Sequence, residues 1–147
     1  VGRSVSRVGG SAQTRAMRKV SSDVRLVLSQ YDEVVRFAKF GTEVDQTTKN
    51  QIERGKRLQM ALAQKAHEPL PVVDQIVVLF AAVEGYLDRI DIYEIESFQS
   101  GLLAFMHAEH FPVMLAISRE EDLTSEITEE LHKLIDGYCL KWLEREE

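Results

Sequence analysis

Residues 72–82 read VVDQIVVLFAA, and the fold class depends on whether this apolar run forms a helix or a strand. The run is too continuously apolar for its periodicity to distinguish the two. A single buried strand would leave its backbone amides and carbonyls without partners, and the segments on both sides have helical spacing. We therefore predict a helix that stops at Gly85, and with it an all-α fold.

Two longer helices are predicted before this run. Apolar residues recur at helical spacing over residues 24–38, which predicts an amphipathic helix that begins near Ser21. Gly41 is a natural end for this helix, because glycine tolerates the left-handed conformation found there. The turn that follows, residues 41–48 (GTEVDQTT), leads into a second helix that we expect to start near Asp45.

Two further helical segments follow the apolar run. Asp91 and Glu94 have the spacing of a capping box, which predicts that a helix begins there. Pro112 interrupts the pattern, and Thr124 or Ser125 can cap a last helix. The inward residues predicted for the first segment are Ile95, Phe98, Leu102 and Phe105. The predicted apolar stripe of the last helix is Ile127, Leu131, Leu134, Ile135, Tyr138 and Trp142.

The first ten residues, VGRSVSRVGG, differ in composition from the rest of the chain. They are rich in glycine and serine and have no helical period, so we predict an extended segment that leads into a loop. Ser11 can then cap a short helix over residues 12–19. The whole chain is predicted to be a bundle of about six or seven helices, preceded by a short extended loop segment. Its first residue is Val1 rather than Met, so we expect a piece of a longer protein.

Composition and charge limit the functions that the chain can have. Its 147 residues suffice for one domain with its own core, and no apolar run reaches the ~18–20 residues of a membrane span. Residues 1–57 carry 12 Lys and Arg against 6 Asp and Glu, whereas residues 58–147 carry 6 against 18. No aromatic residues are interleaved with the basic ones, which argues against nucleic-acid binding. The single cysteine, Cys139, excludes an internal disulfide.

The sequence has no complete catalytic motif of its own. It lacks the G-x-x-x-x-G-K-[ST] segment that cradles phosphates, and it lacks G-x-S-x-G and H-E-x-x-H. His107 and His110 could share a metal ion at helical spacing, but no third ligand is evident. We predict that both are ordinary polar residues of a helix and that the chain has no metal site. Cys139 has no activating base and is predicted to be a buried, inert thiol.

Arg7 is a candidate for a role in phosphate chemistry. It lies in a glycine-flanked loop just before a predicted helix, from which a guanidinium can project toward a second protein. A planar, permanently charged guanidinium suits the negative charge that shifts during phosphoryl transfer. Arg3, Arg15, Arg18 and Lys19 compete for this assignment on the residues alone, and a surface or interface charge is the alternative interpretation.

Three segments, in the same order along the chain, resemble the C-terminal part of the F-type ATP synthase α subunit. SVSRVGGSAQTRAM (residues 4–17) is similar to its arginine-finger loop and the helix after it. LSQYDEVVRFAKFGTEVDQTTKNQIERGKRL (residues 28–58) and PLPVVDQIVVLFAAVEGYLD (residues 69–88) are similar to its stretches ending in RGxRL and GYLD. The resemblance covers residues 1–110 closely, and the acidic remainder matches only in pattern.

The resemblance implies two regions and a set of functional residues. Residues 1–20 would be the end of an α/β nucleotide-binding domain, and residues 21–147 would be the C-terminal α-helical domain. Arg7 would be the catalytic arginine finger, which reaches the γ-phosphate of a nucleotide bound to the adjacent β subunit. Val5 and Ser6 would line the same interface.

The resemblance also implies a weaker nucleotide contact. Family members have two glutamines near the adenine of the non-catalytic α site, and Gln64 matches the first of them. Ala66 stands where the family has the second glutamine, and His67 stands where it has a tyrosine. The resemblance therefore carries over only Gln64.

As a whole, the resemblance implies part of a rotary enzyme that couples ATP synthesis or hydrolysis to ion translocation. Its partners would be both neighbouring β subunits of an α3β3 ring and the central γ subunit. ATP or ADP and Mg²⁺ would bind in the full complex, while this chain alone would bind neither and be inactive. The complex would be peripheral, on the cytoplasmic face of a bacterial inner membrane or on the matrix or stroma side in an organelle. The alternative is a non-enzymatic helical interaction module.

Overall fold

The computed structural model describes residues 14–38, 45–67 and 70–145 of the chain. Within these residues there are six α-helices and no strand, which confirms the predicted all-α fold. In chain order the helices are α1 (Arg15–Ala38), α2 (Gln46–His67), α3 (Val72–Val83), α4 (Ile95–Glu109), α5 (Phe111–Glu120) and α6 (Ser125–Glu144). One turn of 3-10 helix, Ile92–Glu94, precedes α4.

Helix α3 is the apolar run on which the fold class depends, and it lies at the centre of the core. Nine of its residues are buried, including every residue from Ile76 to Val83. A helix buried on all sides explains why its sequence has no polar face. The chain leaves this helix through Gly85, whose φ of 90° is a left-handed conformation that favours glycine. The predicted helix and its predicted stop are both confirmed.

Helix α1 differs from the prediction of two separate helices on either side of residue 20. It runs without a break from Arg15 to Ala38. Ser21 does not cap a new helix, because it lies buried within α1, beside the fully buried Val20. Thr14 precedes this helix, and its Oγ1 accepts a hydrogen bond from the Met17 amide at 3.2 Å. The proposed boundary between residues 1–20 and 21–147 falls inside this helix and stays a prediction.

The C-terminal helices have boundaries close to the predicted ones. Asp91 caps the 3-10 turn by accepting a hydrogen bond from the Tyr93 amide at 2.9 Å. Pro112, near the start of α5, separates it from α4, and the two axes differ by 91°. Thr124 caps α6 by accepting a hydrogen bond from the Ile127 amide at 3.2 Å. The residues that α4 buries are Ile95, Phe98, Gln99, Leu102 and Met106, so Met106 rather than the partly buried Phe105 completes its inward face.

Helices α1 and α2 form a pair whose two ends differ in burial. The buried residues of α1 lie at its start, from Ala16 to Val24, and those of α2 lie from Gly55 onward. Residues 25–37 and 45–54, which flank the connection between the two helices, contain no buried residue. We call these two stretches the distal hairpin. They pack against each other at the periphery of the bundle rather than within its core.

Candidate functional site

The predicted site residues differ in how far the structure describes them. Arg7, Val5 and Ser6 lie outside the described residues. Gln64 lies in the last turns of α2 (Gln46–His67), where the backbone but not the side chain is described. What the structure adds is the surroundings of these positions: the start of α1, the distal hairpin and the contacts that join the hairpin to the core.

The start of α1 is fixed to the turn between α5 and α6. The Ala16 amide donates a hydrogen bond to the Glu121 carbonyl at 3.2 Å, and Ala16 itself is fully buried. Glu121 ends α5 in the left-handed conformation, with a φ of 54°. Arg15 Nη1 lies 4.0 Å from Asp122 Oδ2, a long and exposed pair that adds little. The chain that follows Arg7 therefore enters the core at a defined point.

The distal hairpin presents apolar and charged side chains together. Leu26 is 58% exposed and Phe37 is 59% exposed, although both are large apolar residues. A shallow cleft on the same stretch of α1 is lined by Arg25, Leu28, Ser29, Asp32, Glu33, Arg36 and Phe37. Exposed apolar side chains rimmed by charges are typical of a surface that contacts another protein.

Two arginines of α2 hold the loop that follows α3. Arg54 donates from Nη2 to Asp88 Oδ2 at 2.8 Å and from Nε to Asp88 Oδ1 at 3.4 Å. Arg57 donates from Nε to the Ile90 carbonyl at 2.9 Å and from Nη1 to Glu53 Oε1 at 2.6 Å. The bond from Arg57 is the main cause that lowers the pKa of Glu53 below its ordinary value, against a smaller opposing effect of burial.

His107 and His110 contact different groups, and neither contact is to a metal-binding cluster. His107 Nε2 lies 2.9 Å from Asp74 Oδ1 and 3.1 Å from its Oδ2. The His110 ring packs edge-on against Phe105, with 4.8 Å between centroids. Among residues 14–38, 45–67 and 70–145 no group of three or more His, Cys, Asp or Glu side chains is arranged to hold a metal ion. The sequence did not identify Asp74 as the partner of His107.

His132 of α6 contacts the loop that follows α3. Tyr86 Oη lies 2.6 Å from His132 Nδ1, and His132 Nε2 lies 3.6 Å from Glu84 Oε1. The Tyr86 hydroxyl also donates to the His132 carbonyl, at 3.4 Å. Cys139 Sγ donates to the Tyr86 carbonyl at 3.4 Å. Burial raises the pKa of Tyr86 and of the Cys139 thiol, as expected for packed rather than reactive groups.

The helical body matches a described protein family. The model of the family "ATP synthase alpha/beta chain, C terminal domain" matches residues 13–138, from just before α1 to near the end of α6. The chain belongs to this family. The match to this ATP synthase domain includes α1 to α5 and α6 as far as Tyr138. The resemblance drawn from three sequence segments is confirmed.

Curated relatives of this ATP synthase domain agree on one subunit. The chain is 42% identical over 139 residues to the ATP synthase subunit alpha of Dehalococcoides mccartyi, covering 94% of this chain and 28% of that protein. It is 40% identical over 146 residues to the ATP synthase subunit alpha of Clostridium acetobutylicum, covering 99% of this chain and 29% of that protein. The chain therefore spans somewhat more than a quarter of the length of these relatives.

The matches to this ATP synthase domain differ in whether they include the predicted site residues. The family match begins at residue 13, after the loop that holds Arg7. The alignment with the Clostridium acetobutylicum protein spans 99% of the chain and so includes the position of Arg7. Sequence reasoning had not assigned a role to Arg54 or Arg57, although both stand in the quoted RGKRL stretch. Their partners, Asp88 and Ile90, lie more than thirty residues away in the chain.

None of the helices in the described part of this ATP synthase domain is by itself both long and apolar enough to cross a membrane. Only the segments Ile92–Glu109 and Phe111–Glu120 meet the length and composition criteria, and they do so together as a pair bent by 91°.

Proposed function

We propose that the chain is part of the α subunit of a rotary F-type ATP synthase, to whose neighbouring catalytic site it donates Arg7. The observation that carries this proposal is the 40–42% identity to proteins named ATP synthase subunit alpha over 94–99% of the chain. The all-α fold of the described residues agrees with it. The enzyme couples ATP synthesis or hydrolysis to ion translocation, and the chain works only within that assembly.

The lack of a phosphate-binding motif supports a particular role for the chain in catalysis. No G-x-x-x-x-G-K-[ST] segment occurs anywhere in its 147 residues. The nucleotide and its Mg²⁺ are therefore held by residues outside this chain, on the adjacent β subunit in this proposal. What the chain supplies is a guanidinium that stabilises negative charge on the transferring phosphoryl group. An arginine finger is worth ~10³–10⁵ in rate, or about 4–7 kcal/mol of barrier.

The attachment of α1 to the core supports this role for Arg7. Thr14, the first described residue, lies seven positions after Arg7. Because the Ala16 amide is bonded to the Glu121 carbonyl, the loop starts from a fixed point on the helical body. Val5 and Ser6 line the interface with the β subunit in this arrangement.

The distal hairpin suits the contact with the central γ subunit. Its exposed Leu26 and Phe37 are available to another protein, and no helix of the described residues buries them. In an α3β3 ring it faces the shaft, while Gln64, at the other end of α2, lies toward the nucleotide of the non-catalytic site. The complex is peripheral, on the cytoplasmic face of a bacterial inner membrane or on the matrix or stroma side in an organelle.

Substitution of Arg7 in the assembled complex tests the proposal. Arg7→Ala is expected to lower multisite ATP hydrolysis by ~10³-fold or more and to leave nucleotide binding largely intact. Arg3→Ala, four residues away, is the matched control and is expected to keep near-normal turnover. Near-normal turnover of Arg7→Ala would reject the role, and a loss confined to Arg3→Ala would transfer it to Arg3.

A further inference from the structure

We propose that Arg54 and Arg57 are positioning residues that fix the distal hairpin to the helical body. Together with the loop 84–91 they form a joint at the base of that hairpin. This inference rests on the proposed function, because the hairpin needs a fixed orientation only if it transmits force to a partner. The joint is formed within this chain and involves neither the nucleotide nor Arg7.

The contact between Arg54 and Asp88 is directional. The guanidinium donates two hydrogen bonds, one to each oxygen of the carboxylate, at 2.8 and 3.4 Å. Two parallel bonds restrict the rotation of one group about the other, which a single ion pair does not. Both side chains are partly buried rather than fully exposed, so water competes with the contact less than at an open surface.

Arg57 is the more enclosed member of the pair. Only 11% of its side chain is exposed, although it is a long and charged residue. Its guanidinium is bonded at once to the Ile90 carbonyl of the loop and to the Glu53 carboxylate of its own helix. An arginine that is mostly enclosed and has these partners cannot move without losing them. It therefore ties one turn of α2 directly to the backbone of the loop.

The loop is shaped to receive the Arg54 guanidinium. Gly85 has a φ of 90°, and a Cβ atom placed on it would lie 2.5 Å from Arg54 Nη2. Glycine suits the turn, and the guanidinium occupies the space that a Cβ would take. At the next residue of α2, the Tyr31 ring of α1 covers Gly55 closely, and a Cβ there would meet that ring. The base of the hairpin therefore contacts both α1 and the loop after α3.

The position of the joint determines what it can do. Arg54 is the last residue of the distal hairpin, and Gly55 is the first buried residue of α2. Beyond this point toward the connection, residues 25–37 and 45–54 include no buried residue that could resist bending. The orientation of the hairpin therefore depends on the contacts at its base. If the joint is loosened, a displacement at the far end is taken up by bending at the base instead of reaching the core.

The test uses the full complex reconstituted into sealed vesicles. Arg54→Ala is expected to lower the ratio of ATP synthesis to ATP hydrolysis at least threefold, because synthesis requires the shaft to drive the subunit. Lys56→Ala is the matched control: Lys56 lies between the two arginines, is exposed, and its Nζ lies 3.6 Å from Glu53 Oε2. That variant is expected to keep the wild-type ratio.

Exchange of the charges tests the pair rather than the single residue. Arg54→Glu combined with Asp88→Arg is expected to recover at least half of the wild-type ratio, and Arg54→Glu alone is not. An unchanged ratio in Arg54→Ala would overturn the inference, as would failure of the exchanged pair to recover. A general loss of stability is separated by hydrogen exchange, because only the amides of residues 46–54 are expected to exchange at least tenfold faster.

The inference and the proposed function can fail separately. If Arg7→Ala keeps normal turnover, the arginine-finger role is rejected. If Arg7→Ala is inactive while Arg54→Ala keeps the wild-type ratio and normal exchange, only the joint is rejected.

Discussion

His107 Nε2, near the end of α4 (Ile95–Glu109), lies within hydrogen-bonding distance of both carboxylate oxygens of Asp74, in the first turn of α3 (Val72–Val83). Asp74 is only 7% exposed, so this contact satisfies a carboxylate that water reaches poorly. The position of Asp74 in a first helical turn also suits its negative charge. The contact joins two helices through residues that lie 33 positions apart in the chain.

Removal of this histidine is expected to destabilise the fold. His107→Ala leaves the Asp74 carboxylate buried without the side-chain partner that the structure gives it, which costs about 1–3 kcal/mol of unfolding free energy. His110→Ala is the matched control, because the contact of His110 is with the Phe105 ring rather than with a buried carboxylate. Urea unfolding of the two purified variants measures the difference, and equal losses would contradict the structural role of His107.

Alanine substitutions at Gly85 and at Gly137 are expected to change the stability of the fold in opposite directions. Gly85→Ala is expected to destabilise the fold by at least about 1 kcal/mol, because alanine is strained at a φ of 90° and its Cβ would meet Arg54. Gly137→Ala is expected to stabilise it by about 0.5–1 kcal/mol, because Gly137 lies within α6 and nothing lies within 4 Å of an added Cβ. Thermal unfolding checks both, and a loss at Gly137 as large as at Gly85 would be contradictory.

Alkaline pH is expected to weaken the fold. Burial raises the pKa of the Cys139 thiol above its ordinary value of about 9 and the pKa values of Tyr86 and Tyr138 above about 10. In the unfolded chain these groups lose their protons at lower pH than in the folded one. The stability is therefore fully present below the unfolded pKa and is lost as pH rises through the folded pKa.

The urea midpoint measures this dependence. It is expected to be flat from about pH 7 to about pH 8 and to fall above about pH 9. Cys139→Ser removes the thiol but keeps a hydroxyl that can donate to the Tyr86 carbonyl. The decrease of the urea midpoint that the thiol causes, at the lower end of this pH range, should therefore disappear. A midpoint that stays constant to about pH 11 would contradict the burial of these groups.

Local sequence signals predicted most of the fold. The helix in residues 72–82 could be predicted because a single buried strand would leave its backbone hydrogen-bonding groups without partners. Helix boundaries could be predicted at Gly85, Pro112 and Thr124, because each of these residue types favours the start or the end of a helix. The break expected near Ser21 was wrong, because a serine that resembles a helix cap is instead buried inside α1. Burial of this serine within the bundle is a tertiary effect, which the local sequence does not reveal.

The contacts that join the helices could not be predicted in the same way. The partners of His107 and Arg54 lie 33 and 34 residues away in the chain. No periodicity connects residues at such separations, so these pairs emerge only from the packing of the helices. Arg7, by contrast, was assigned from the sequence and not from the structure. Its assignment comes from the resemblance of SVSRVGG to a family loop, and its action requires a β subunit that this chain does not contain.

The most direct test of the donated arginine is the binding of a transition-state analogue by the assembled complex. Mg-ADP with aluminium fluoride mimics the transferring phosphoryl group, and a residue that acts in the transition state binds it more tightly than it binds Mg-ADP alone. The account predicts that Arg7→Ala weakens retention of the analogue by ~10³-fold or more while Mg-ADP affinity changes less than about threefold. Equal retention by the wild-type and Arg7→Ala complexes would contradict it.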